Sequence, residues 1–145
     1  IAYGSDRVIT PDMVEEQVID TRQRSVFELT KAISERDIVK AMAALHILLA
    51  QDQEPVAING MLAMHARRLI AVKRAKVAGV RDSDIGDATA AADNYSLTEL
   101  YQFHADIFDA DRSLKSKPMP AELVFSRLLF NLMQKKTNEH RRVSQ

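Results

Sequence analysis

The chain contains no cysteine. That excludes a disulfide scaffold, a thiol nucleophile and thiolate metal ligands, and it suits a reducing compartment. Net charge is also missing, because 20 Lys and Arg balance 20 Asp and Glu. A dedicated nucleic-acid binder usually carries a clear basic excess, so the balance argues against that class. No apolar run approaches the roughly 18–20 residues of a membrane span. No charged-then-apolar leader opens the chain, so nothing marks it for secretion. Only four glycines and four prolines interrupt the sequence, and no segment alternates apolar and polar residues as a strand would.

What remains is a helix-forming sequence of 145 residues, 46% hydrophobic and 28% charged. That is the composition of about one globular domain. The expected fold class is all-α, a bundle of roughly six or seven helices with short connections. The chain opens on Ile1-Ala2-Tyr3, which reads as the end of a helix cut from something longer, so a fragment of a larger protein is expected.

The breakers and caps place the helices. Thr10-Pro11 reads as an N-cap followed by proline at the first helical position, starting a helix that ends near Thr21. Ser25-Val26-Phe27-Glu28 has the form of a capping box and predicts a fresh helix start. Asp37 caps a third helix, and Glu54-Pro55 opens a fourth that Gly79 ends. The apolar face of the fourth is Ile58, Met61, Leu62, His65, Leu69 and Val72. Ser83, Gly86 and the alanines of 88–92 leave the next stretch undecided. Ser96-Leu97-Thr98-Glu99 is a second capping box, opening a helix with Leu97, Leu100, Tyr101, His104, Ile107, Phe108, Asp111 and Leu114 on one face. Lys117-Pro118-Met119-Pro120 breaks the chain, and a last helix runs from Ala121 to about Lys136, followed by a polar tail.

Catalytic patterns are missing. There is no phosphate loop of the G-x-x-x-x-G-K-[ST] kind and no G-x-G-x-x-G. His46, His65, His104 and His140 show no metal-ligand spacing. His65 and His104, on apolar faces, read as packed histidines rather than ligands. Asp82, Asp84, Asp87 and Asp93 depart from a calcium loop, with glycine at the fifth position and aspartate at the twelfth, and read better as a solvated acidic loop. No cofactor or metal is expected.

Charge is unevenly distributed. From His65 to Arg81 the chain carries Arg67, Arg68, Lys73, Arg74, Lys76 and Arg81 and no acidic residue. From Asp82 to Asp111 it carries eight acidic residues and no Lys or Arg. Such blocks either attract one another within the fold or face partners of opposite sign. Asp111 falls on an apolar stripe, where an unpaired carboxylate is costly. Its candidate partners are Lys115 one turn on and Arg67 or Arg68 of the fourth helix, with a structural pair to Arg68 favoured.

Several stretches, in this order, resemble the C-terminal part of the bacterial DNA polymerase III delta subunit family. Ile9-Thr10-Pro11-Asp12-Met13-Val14-Glu15-Glu16 resembles the "I-T-x-x-x-V-E" helix that closes the family's lid domain. Ser25-Val26-Phe27-Glu28-Leu29-Thr30 resembles the opening of its collar domain, and Lys40-Ala41, Leu45 and Leu48-Leu49 its "K-A-L-x-L-L-x-x-L-L" helix. Glu54-Pro55 with Ile58, then Arg67-Arg68-Leu69-Ile70-Ala71-Val72-Lys73, resemble "G-E-x-P-x-x-I-L" and "F-R-x-L-L-x-V-K". Tyr95-Ser96-Leu97-Thr98-Glu99-Leu100, then Asp111 with Leu114-Lys115, resemble "F-S-x-x-E-L" and "D-x-x-L-K". One departure is a shorter passage from Ile85-Gly86 to Tyr95-Ser96, where the family usually has a further helix.

The resemblance implies residues 1–22 as the end of an AAA+ lid domain and 23–145 as a helical collar of the clamp-loader type. It implies no ATP hydrolysis and no catalysis by this chain, which would act as one part of the polymerase holoenzyme in the cytoplasm. The implied partners are the clamp-loader ATPase subunits and delta prime, with the sliding clamp reached through an N-terminal domain outside this chain and DNA only indirectly. Phe125, Phe130 and Met133 of the last helix, with exposed parts of the 97–115 helix, are candidates for the interface with other subunits; for Phe125 a plain core role stands equally open. Arg67, Lys73, Arg74 and Lys76 are candidates for DNA phosphates, against the blander reading of a solvated face. The alternatives are a collar from another AAA+ replication or recombination protein, a helical DNA-binding regulator and, weakest, an enzyme.

Overall fold

The computed structural model describes residues 11–81, 89–116 and 119–144, with side chains described over 21–81, 89–116 and 119–134. Among these residues there are six helices and no strand: α1 (Pro11–Ser34), α2 (Ile38–Ala50), α3 (Pro55–Val77), α4 (Thr89–Asp93), α5 (Leu97–Ser116) and α6 (Ala121–Ser144). The chain is all-α, as its periodicity predicts. Thr10, Ser83, Gly86 and the aspartates at 82, 84 and 87 lie outside the described residues, as does the side chain of His140.

Local chemistry sets most boundaries. The Asp37 carboxylate accepts the Lys40 N–H at 3.1 Å and caps α2. Pro55 occupies the first turn of α3. At the other end Gly79 takes φ +89, and the Val80 N–H returns to the Ala75 carbonyl at 3.0 Å, the closing bond of a left-handed helix stop. At α5 the second capping box forms in both directions. The Ser96 hydroxyl accepts the Glu99 N–H at 3.1 Å, and Glu99 accepts the Ser96 N–H at 3.0 Å.

Three expectations are corrected. The first concerns Ser25, which starts no helix. α1 runs unbroken through 22–25, and the Ser25 hydroxyl donates to the Thr21 carbonyl at 3.1 Å inside it. No glycine or proline lies between Thr21 and Ser25, so continuation satisfies every backbone group that a new N-terminus would leave open. The second concerns α5, whose core stripe is Leu100, Phe103, Ile107 and Ala110, while Tyr101 and Phe108 face outward. The third concerns α6, which continues to Ser144 rather than stopping near Lys136, because its polar end contains good helix formers and no breaker.

α1 packs on α2, α3 on α5 and α4, and α6 on both α5 and α2. One apolar core results, with Leu29, Ile33, Leu45, Leu62, Phe103 and Phe125 among its members. Burying each such side chain contributes roughly 1.5–3 kcal/mol. Because α6 is held from two sides, one strip of it is left uncovered over 121–134, where its side chains are described.

Candidate functional site

The most constrained part of the molecule lies where the end of α1 meets the start of α5. Arg36 follows α1 with φ +58, a left-handed position that glycine normally fills. The Asp37 N–H closes the turn on the Ala32 carbonyl at 2.9 Å. The side chain accounts for a non-glycine residue there. Its side chain is only 8% exposed, and its guanidinium forks onto the carboxylate of Glu99, whose side chain is 4% exposed. One of the two contacts is Nη1 to Oε1 at 3.1 Å. The same guanidinium donates to the carbonyls of Asn94 at 2.7 Å and Leu132 at 3.3 Å, and lies 4.7 Å from the centre of the Tyr95 ring. The Asn94 amide donates to the Ser34 carbonyl at 2.7 Å, and the Tyr95 hydroxyl donates to the Ile33 carbonyl. Arg36 thus ties α1, the α4–α5 connection, α5 and α6 together.

The electrostatics follow from that geometry. Burial alone would raise the Glu99 carboxyl, but the Arg36 guanidinium and the Ser96 N–H together hold it below the ordinary range. Burial pushes the Tyr95 phenol well above its ordinary range. Nearby, the His65 Nε2 lies 3.1 Å from the Ser34 hydroxyl. Burial first, and the positive charge of Arg68 second, lower the His65 pKa to about 4. His65 is therefore a neutral packed residue at physiological pH. This arrangement is a clasp. It presents no pair of titrating groups to a substrate.

The residues singled out by sequence are dispersed. Asp111 pairs with Lys115 at 2.9 Å on its own helix, at the surface. Arg68 is exposed on α3, and no described contact joins it to Asp111. The basic stretch divides in two. Lys76 turns to α4, where it pairs with Asp93 and reaches the Thr89 carbonyl at 3.4 Å. Hydrogen bonding to Lys76 and the charge of Lys73 hold the Asp93 carboxyl below its ordinary range. Arg67 and Arg74 instead line a groove of about 320 Å³ with Tyr101 and His104 of α5. Among the described residues no three His, Asp or Glu side chains gather as a metal site, and no helix is long and apolar enough to cross a membrane.

The last helix divides as well. Phe125 is 0% exposed and Met133 is buried, so both side chains belong to the core and the expected contact surface narrows to Phe130, which is 42% exposed. Leu123, seven residues earlier and so on the same strip, is also exposed. Arg36 and the buried Asn59, whose amide donates to the Ile107 carbonyl at 3.0 Å, escape sequence reasoning. The Arg36 signal was available in part: a helix end without glycine, one residue before a capping aspartate.

Residues 23–132, most of the chain, match the family model described as DNA polymerase III delta subunit, C-terminal domain. No curated protein and no solved structure matches the chain.

Proposed function

The chain belongs to the family formed by the C-terminal domain of the DNA polymerase III delta subunit, a component of the clamp loader, and from that premise we propose that it is a collar module. It holds its subunit beside the ATPase subunits and delta prime while the sliding clamp is loaded during replication. The sliding clamp itself is contacted by an N-terminal domain of the same subunit. Its place is cytoplasmic, at the replisome, and its contribution is assembly rather than catalysis. We read 1–22 as the end of a preceding lid domain and 23–145 as the collar; the family match covers 23–132, and the boundary falls inside the continuous α1.

The observation that carries the reading is the uncovered strip of α6. Leu123 and Phe130 stand exposed on a helix whose opposite side supplies Val124, Phe125, Leu128 and Leu129 to the core. Large exposed apolar side chains on a helix already held from two sides suit a permanent interface between subunits, which is more apolar than ordinary surface. Size-exclusion chromatography with light scattering, on the chain mixed with the ATPase subunit and delta prime, tests it. Co-elution as a defined hetero-oligomer is expected. A folded chain that elutes alone would overturn the reading.

A further inference from the structure

The uncovered strip of α6 is not apolar throughout. Leu123, Arg127 and Phe130 follow one another at helical spacing, and all three are exposed. Arg127 therefore stands between the two large apolar side chains. Beside it, Asp106, Asp109 and Ser113 line one side of α5, again at helical spacing. The two helices pack together, and a groove of about 210 Å³ between them is lined by Asp106, Asp109, Ser113, Arg127 and Asn131.

Opposite charges face this groove without pairing across it. Among the described residues, neither Asp109 nor Arg127 takes part in an ion pair or a side-chain hydrogen bond. Asp106 accepts the Gln102 amide at 2.8 Å on its own helix. The other carboxylates of α5 are taken, Glu99 by Arg36 and Asp111 by Lys115. An apolar surface laid on Leu123 and Phe130 would strip water from Arg127, and a dehydrated guanidinium without a carboxylate is costly. The aspartates across the groove make the same demand with opposite sign.

We infer that Arg127 and the Asp106–Asp109 pair select the partner of the α6 strip. The partner that fits is a helix with an acidic residue among apolar ones, set against Arg127. A basic residue about 8–10 Å to the side, the usual spacing between packed helices, lies over the aspartates. The inference rests on reading the strip as the assembly surface. Apolar area supplies the strength of the contact. The charges fix which neighbour docks and in which direction, because a wrong or reversed partner sets like charges face to face.

Titrating the fluorescently labelled chain with the ATPase subunit and with delta prime, separately and by anisotropy, tests it. The parent should bind one of the two more tightly. The exchange variant Asp109→Arg/Arg127→Asp keeps the net charge, the apolar strip and one acid facing one base. It should keep the melting temperature yet bind that partner at least about tenfold more weakly. Arg127→Gln should lose affinity in the same direction by less, and its binding should depend less on salt than the parent's. Lys31→Glu on α1 reverses a charge elsewhere and should change nothing. An exchange variant that binds like the parent, while Phe130→Asp does not bind, would overturn the inference and leave the assembly reading standing. A folded parent that binds neither subunit, or a Phe130→Asp chain that binds like the parent, would overturn both.

Discussion

Two of the molecule's carboxylate–cation pairs have nearly the same chemistry and different consequences. Arg36 and Glu99 meet 63 residues apart in sequence, almost without water, and touch four helix-bearing segments. Asp111 and Lys115 meet one turn apart on α5, with 36% and 58% of their side chains exposed. In the first, removing either partner strands a buried charge. In the second, water replaces whatever is removed, and salt screens what remains. Context, not the ion pair itself, decides which one holds the fold together.

The largest expected effect comes from breaking the buried clasp. Arg36→Ala or Glu99→Ala should lower the unfolding free energy by about 3–5 kcal/mol, read from urea titrations. The double variant should lose less than the sum of the two, because the second change removes a charge that the first left unpaired. Additive losses would show that the two groups do not act together.

Acid should weaken the same region. His65 has a folded pKa of about 4 against an ordinary 6.5, so the unfolded chain binds more protons between those values. Its contribution is complete above pH 6.5 and is lost as pH falls toward 4, by up to about 3 kcal/mol. The Glu99 carboxyl is also lowered on folding, so its contribution is present above 4.5 and is lost as pH falls through its folded value. Both signs agree. Stability should be flat above about pH 6.5 and decline below it, and His65→Gln should flatten the upper part of that decline. A parent chain equally stable at pH 5 and pH 7 would contradict the assignment of His65 as buried and neutral.

The surface pair should matter least. Asp111→Ala should cost about 0.3–0.5 kcal/mol, the usual worth of an exposed pair one turn apart, and the difference should shrink in high salt. A loss of several kcal/mol would mean that Asp111 has a partner beyond Lys115.

The sequence was most readable where the physics is local. Asp37, Pro55, Gly79 and the Ser96–Glu99 box each act within four residues of themselves, and each marks a helix end in the structure. Ser25 shows the limit of that reasoning, since the same four-residue pattern also fits the middle of a helix whose chain simply continues. On α5, Tyr101 and Phe108 are apolar in type but outside in place, so the apolar stripe of the sequence is wider than the buried one and rotated away from Phe103. The sequence around Arg36 marks a helix end, but its partner Glu99 lies on another helix and is not legible locally. The basic stretch was legible as a stretch, but only the packing of α4 on α3 separates Lys76 from Arg67 and Arg74.

The most direct measurement compares the two faces of α6 through Phe130. Phe130→Asp places a charge on the exposed strip and should leave the melting temperature within about 2 °C of the parent, as a surface change does. In light scattering with the ATPase subunit and delta prime, the variant should elute alone while the parent co-elutes. A stable Phe130→Asp chain that still enters the complex would contradict the assignment of this strip as the assembly surface.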